Sequence, residues 1–99
     1  MEITQQGNTV TLLLTGEIDH HTAKGLRQAA DDALITRRPA KLVLDFSGVT
    51  FMDSSGVGLV MGRYKAARSL GCGVTVKGLR PRDEKIMRLS GLSALVTFI

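Results

Sequence analysis

Phe51-Met52-Asp53-Ser54-Ser55-Gly56-Val57-Gly58 joins two different periodicities. Before it, Lys41-Leu42-Val43-Leu44-Asp45-Phe46 is a short apolar run without alternation, the pattern of a central strand covered on both faces. After it, Val57, Val60, Met61, Tyr64 and Ala67 recur at helical spacing up to about Leu70. The stretch is therefore the joint of a strand–helix unit. Asp and Ser are both preferred helix N-caps, yet one cap needs one such residue and three stand here in a row. Local pattern leaves open whether Asp53-Ser54-Ser55-Gly56 is only a cap.

Outward from this joint the same alternation of elements continues. Gly71 suits a helix C′ position, and Val74-Thr75-Val76 lies at the centre of a strand over Gly73–Lys77. Pro81 opens a further helix, with Asp83 and Glu84 in the first turn where acids suit the N-terminal partial charge. Ser90-Gly91 ends it, and Leu95–Ile99 reads as a final strand. Upstream, Ile3–Gln5, the turn Gly7-Asn8 and the alternating Thr9–Leu14 make a hairpin that Thr15-Gly16 closes. Glu17 to His21 is a polar connection. Ala23, Leu26, Ala29, Ala30, Ala33 and Leu34 then mark one face of a helix, capped by His21 or Thr22 and stopped by Thr36 to Pro39. Ser47-Gly48 reads as a turn. The order is β-β-α-β-α-β-α-β. The fold class is α/β, one small domain over residues 1–99, with a mostly parallel mixed sheet and an antiparallel hairpin at its edge.

Gly58, Gly62 and Ala66 form a small-residue row on the second helix. Each helical glycine costs about 1 kcal/mol relative to alanine, so the row implies close approach of another backbone, by default one within the domain.

Composition excludes several classes. The 99 residues carry 13 Lys and Arg against 9 Asp and Glu, spread along the chain, with one tyrosine and no tryptophan. That is not the clustered basic and aromatic surface of a nucleic-acid binder, so no direct nucleic-acid partner is expected. Cys72 is the only cysteine, between two glycines; it reads as a small buried residue rather than a reactive thiol. No stretch has the length of a membrane span, and the N-terminus lacks a secretory pattern, so the expected compartment is the cytoplasm.

In an open α/β sheet the functional loops gather at the carboxyl ends of the strands. Glu17 to His21 and Val49 to Gly56 both belong there, which brings Asp19, His20, His21, Asp53, Ser54 and Ser55 to one rim. A serine hydrolase would need a G-x-S-x-G elbow, which is absent around both serines. Consecutive Asp19-His20-His21 would not converge on one metal ion. There is no phosphate-binding loop motif, although a helix N-terminus accepts a phosphate. A phosphoryl group placed at this rim would add roughly −1.5 to −2 charges, be tolerated by the helix start and be repelled by Asp53.

Leu14-Thr15-Gly16-Glu17-Ile18-Asp19-His20-His21-Thr22-Ala23 and the Phe51–Gly58 stretch together resemble the two signature segments of anti-sigma factor antagonists of the STAS-domain family. Gly62-Arg63-Tyr64-Lys65 and Leu89-Ser90-Gly91-Leu92 extend the likeness over essentially the whole chain, nearest to the sporulation branch that acts on the anti-sigma-F factor. The resemblance implies a protein-interaction switch with no catalysis and no cofactor of its own. The dephosphorylated form would bind an anti-sigma factor that is also a serine kinase, releasing a sigma factor. The kinase would use ATP to phosphorylate Ser54, and a serine phosphatase would restore it. Asp19, His20, His21, Asp53, Ser55 and Gly56 would belong to the kinase-facing surface. The family's C-terminal helix has no counterpart before Ile99. The alternatives are a STAS subunit of a stress-signalling assembly and a small nucleotide-binding protein.

Overall fold

The computed structural model describes residues 1–99. Strands β1 (Glu2–Gln6) and β2 (Thr9–Ile18) form the antiparallel hairpin, with Gly7 at φ 60° in its turn. Helix α1 (His20–Arg37), β3 (Lys41–Met52), α2 (Ser54–Ser69), β4 (Gly73–Lys77), α3 (Pro81–Leu89) and β5 (Thr97–Phe98) follow. The sheet order is β1-β2-β3-β4-β5, with every pair after the hairpin parallel. The α/β order, the parallel sheet and the antiparallel edge are those expected. Each crossover advances by one strand in the same direction, so right-handed connections bring all three helices to one face. Val10, Leu12 and Leu14 of β2, Leu42 and Leu44 of β3 and Val74 and Val76 of β4 are buried in a single core with Ala30, Ala33, Leu34, Leu59, Val60 and Ala67 from α1 and α2. Cys72 is in this core, and burial pushes its thiol up from the ordinary value.

Several boundaries differ from the sequence expectation, each for a long-range reason. β2 does not end at Thr15-Gly16, and Ser47-Gly48 is not a turn. Both segments are bulged but continuous strand, with register shifts between Leu13 and Thr15 and between Gly16 and Glu17. Gly16 takes φ 77°, and a Cβ on Gly48 would lie 2.9 Å from both the Leu14 carbonyl oxygen and Thr15 Cγ2. The two glycine-containing segments stand side by side and let the strands bend together. Helix α1 starts at His20, capped by Asp19 rather than by His21 or Thr22, and runs on to Arg37. The expected Leu95–Ile99 strand shrinks to Thr97–Phe98, because Leu92 and Val96 both fill core positions and Leu92–Ala94 winds into a 3-10 turn.

The packing face of α2 also differs. Leu59, Val60, Arg63 and Ala67 are buried, whereas Val57, Met61 and Tyr64 are only half-buried. Arg63 Nε lies 2.8 Å from Asp31 Oδ1 of α1, in an ion pair that ties the two helices. The expected close approach over the small-residue row is not made: a Cβ added at Gly58 or at Gly62 would meet nothing within 4 Å.

Candidate functional site

The rim is built from two strand ends in register. Ile18 stands opposite Met52, and the Asp53 backbone N–H donates to the Ile18 carbonyl at 3.2 Å. The next residues, Asp19 and Asp53, are the N-caps of α1 and α2. Two helix N-termini therefore open side by side at the carboxyl ends of adjacent strands. The two expected loops meet, and Asp19, His20, His21, Asp53, Ser54 and Ser55 share one surface.

Within that surface the roles separate. Asp19 Oδ1 accepts the backbone N–H of Thr22 at 2.8 Å and of His21 at 2.9 Å. The Thr22 hydroxyl in return accepts the Asp19 N–H at 2.9 Å and donates to the Glu17 carbonyl at 2.8 Å. This is a capping box with a threonine at its third helical position. The Thr22 N–H holds the Asp19 carboxyl below its ordinary value; the Thr22 hydroxyl, the His21 N–H and the His21 charge add to this, against an opposing push from burial. Asp53 Oδ1 accepts the Ser55 N–H at 2.7 Å. The cap of α2 is thus supplied by the acid, and neither serine hydroxyl is needed for it. Ser54 is the first helical residue, exposed, with its hydroxyl directed to no partner in the chain; Ser55 is half-buried. His20 and His21 are exposed on the first turn of α1. Gly56 is buried, with Met52 directly beneath it, so its place is in the packing of the helix start. No group of three or more His, Cys, Asp or Glu side chains is arranged to hold a metal ion.

Three residues that sequence reasoning had not singled out belong to the same rim. Phe51 and Met52 alternate at the end of β3: Met52 is buried and Phe51 is 42% exposed, opposite Glu17 of β2. Period-two alternation carried through to the strand end would have separated them. Lys24 and Arg27 of α1 line a groove against α2, together with His20, Ser55 and Gly58. Their spacing from His20, four and seven residues, is the signal that places them on one helix face.

A family model described as "Mlab, STAS domain" matches residues 1–97. The chain belongs to the STAS-domain family. It is 34% identical over 92 residues to an anti-sigma F factor antagonist of Paenibacillus polymyxa, an alignment covering 93% of this chain and 79% of that protein. It is 28% identical over 87 residues to an anti-sigma-B factor antagonist of Listeria monocytogenes, covering 88% and 75%. Among solved structures, the Bacillus cell fate determinant SpoIIAA in its phosphorylated form superposes with a TM-score of 0.77 at 28% identity, covering 99% of this chain and 89% of that one. No helix of this STAS domain is long and apolar enough to cross a membrane.

Proposed function

We propose that this STAS domain is an anti-sigma factor antagonist acting in the cytosol, which in its dephosphorylated form binds an anti-sigma factor with serine-kinase activity and so frees a sigma factor. Ser54 is the residue that the kinase phosphorylates, and a serine phosphatase reverses the mark. The observation that carries the reading is the division of labour at the start of α2. Asp53 supplies the cap, which leaves the Ser54 hydroxyl exposed, unbonded and free to be modified without cost to the helix. The name of the Paenibacillus relative and the phosphorylated state of the SpoIIAA structure point the same way.

The physics of the switch follows from that position. A phosphoryl group on the first residue of a helix meets unpaired backbone N–H groups and the positive end of the helix, so the fold tolerates it. It also places roughly −1.5 to −2 charges next to the Asp53 carboxylate, on the surface where Asp19, His20, His21, Ser55 and exposed Phe51 would meet the partner. A partner packed closely there is expelled while the domain stays folded. ATP is the kinase's substrate, and the domain itself supplies no cofactor and no catalysis.

Intact mass after incubation with the cognate kinase and ATP tests the reading. One phosphoryl group is expected on the wild-type chain and on Ser55→Ala, and none on Ser54→Ala. Labelling that persists in Ser54→Ala removes the assignment. Failure of the dephosphorylated chain to bind any anti-sigma factor removes the function.

A further inference from the structure

The second helix keeps a glycine where nothing in the domain asks for one. Gly58 is in the interior of α2, and an added Cβ would meet no atom within 4 Å. Glycine there costs about 1 kcal/mol of helix stability relative to alanine. What it leaves is space: a groove of about 300 Å³ between α1 and α2, opening beside the start of α2. His20, Lys24 and Arg27 form its α1 wall, at positions i, i+4 and i+7 of one helical face. Ser55, Gly58 and Leu59 form its α2 wall.

The charges of this groove are unbalanced. The chain's ion pairs are Arg63 with Asp31, Arg80 with Asp83 and Arg88 with Glu84, so Lys24 and Arg27 have no carboxylate partner. Lys24 and Arg27 are three residues apart on one helical face, and like charges so placed weaken a helix rather than support it. One turn beyond Leu59, Arg63 is buried and paired with Asp31, and its Nη1 has no hydrogen-bond acceptor. Asp31, four residues beyond Arg27 on α1, is engaged by Arg63, and no acid lines the groove. A concave wall of one sign of charge over a low-dielectric floor concentrates the field and draws an anionic group.

We infer that the α1–α2 groove is the seat for an acidic side chain of the partner protein, a glutamate or aspartate inserted between Lys24 and Arg27 over Gly58. The inference rests on the proposed function and adds to it the chemistry of recognition. A carboxylate entering here would take charge-assisted hydrogen bonds from the two cations, with the Ser55 hydroxyl as a third donor. The groove begins at the residue next to Ser54. A phosphoryl group on Ser54 therefore sets a like charge at the mouth of the seat and repels the incoming acid, which gives the switch a definite point of action.

The test is titration of the purified cognate anti-sigma factor into wild-type chain and into Lys24→Glu, Arg27→Glu, Gly58→Leu and Arg68→Glu, at low and moderate salt. Lys24→Glu and Arg27→Glu are expected to raise Kd about tenfold or more and to flatten its salt dependence. Gly58→Leu fills the seat and is expected to raise Kd without lowering the melting temperature. Arg68→Glu makes the same charge change on the last turn of α2, outside the groove, and is expected to leave Kd within about twofold. Replacing the partner acid by lysine should restore binding to Lys24→Glu. Wild-type affinity in both groove variants overturns the inference, as does an equal loss in Arg68→Glu, which would mean general charge steering. Magnesium-ATP titrated into the chain alone is expected to give no binding. Saturable binding that Lys24→Glu abolishes would assign the groove to nucleotide phosphates and overturn the carboxylate. Normal phosphorylation of Ser54 in groove variants that bind normally would remove the seat and leave the proposed function standing.

Discussion

Alanine at Gly56 and alanine at Gly58 are the same substitution two residues apart in one helix, and the structure gives them opposite signs. A Cβ on Gly56 would overlap Met52 Sδ and Cγ. Met52 is 1% exposed and belongs to the core, so its side chain has little room to retreat. Overpacking of this kind costs about 1–3 kcal/mol. Alanine recovers up to about 1 kcal/mol of helix propensity, and less in the first turn. The net expectation is a loss of about 1–2 kcal/mol, or a fall in melting temperature of about 4–8 °C per kcal/mol for a domain of this size. At Gly58 the new methyl meets nothing within 4 Å, so only the propensity changes and Gly58→Ala should gain about 0.5–1 kcal/mol. Urea and thermal unfolding of the two variants measure both. A double-mutant cycle with Met52→Ala should show a coupling of about 1–2 kcal/mol for Gly56 and none for Gly58. Equal effects at the two positions, or a Gly56→Ala loss that Met52→Ala does not relieve, would refute the packing argument.

Two further outcomes follow from the charges. The Asp19 carboxyl lies below its ordinary value in the folded state, so the stability it contributes is present above the unfolded value and disappears as pH falls through the folded one; Asp19→Asn should therefore flatten the acid limb of a urea-stability profile below about pH 5. Asp31→Asn leaves Arg63, whose side chain is 6% exposed, without its counter-charge; because Asp31 itself is 37% exposed, the cost should be about 1–3 kcal/mol by denaturant unfolding, while Arg63→Met, which removes the charge and keeps the volume, should cost less.

The fold was largely legible in the chain. Strand and helix are both short-range patterns: the apolar run Leu42–Leu44, the alternation from Val10 to Leu14 and the helical spacing from Ala23 to Leu34 each state their element locally. The strand–helix order then fixes which loops share a rim, so the meeting of Asp19 and Asp53 is implied by the order of elements alone. The caps were less legible. Asp19 and Asp53 stand next to other capping types, and only the backbone path decides that both acids cap while Ser54 stays free.

What the tertiary structure alone decided concerns pairs of residues distant along the chain. The bulges at Gly16 and Gly48 exist because β2 and β3 lie against each other, and neither glycine announces this by itself. Arg63 reads as an exposed residue of a helix until Asp31, thirty-two positions earlier, is brought beside it. The glycines of α2 look alike in sequence; Gly56 has Met52 beneath it and Gly58 has open space, and that difference is set by which face of the helix meets the sheet. Local propensity and periodicity act over a few residues and are written in the chain. The cost or benefit of a given side chain, and the empty groove at the start of α2, depend on atoms contributed by other elements and are fixed only when those elements pack.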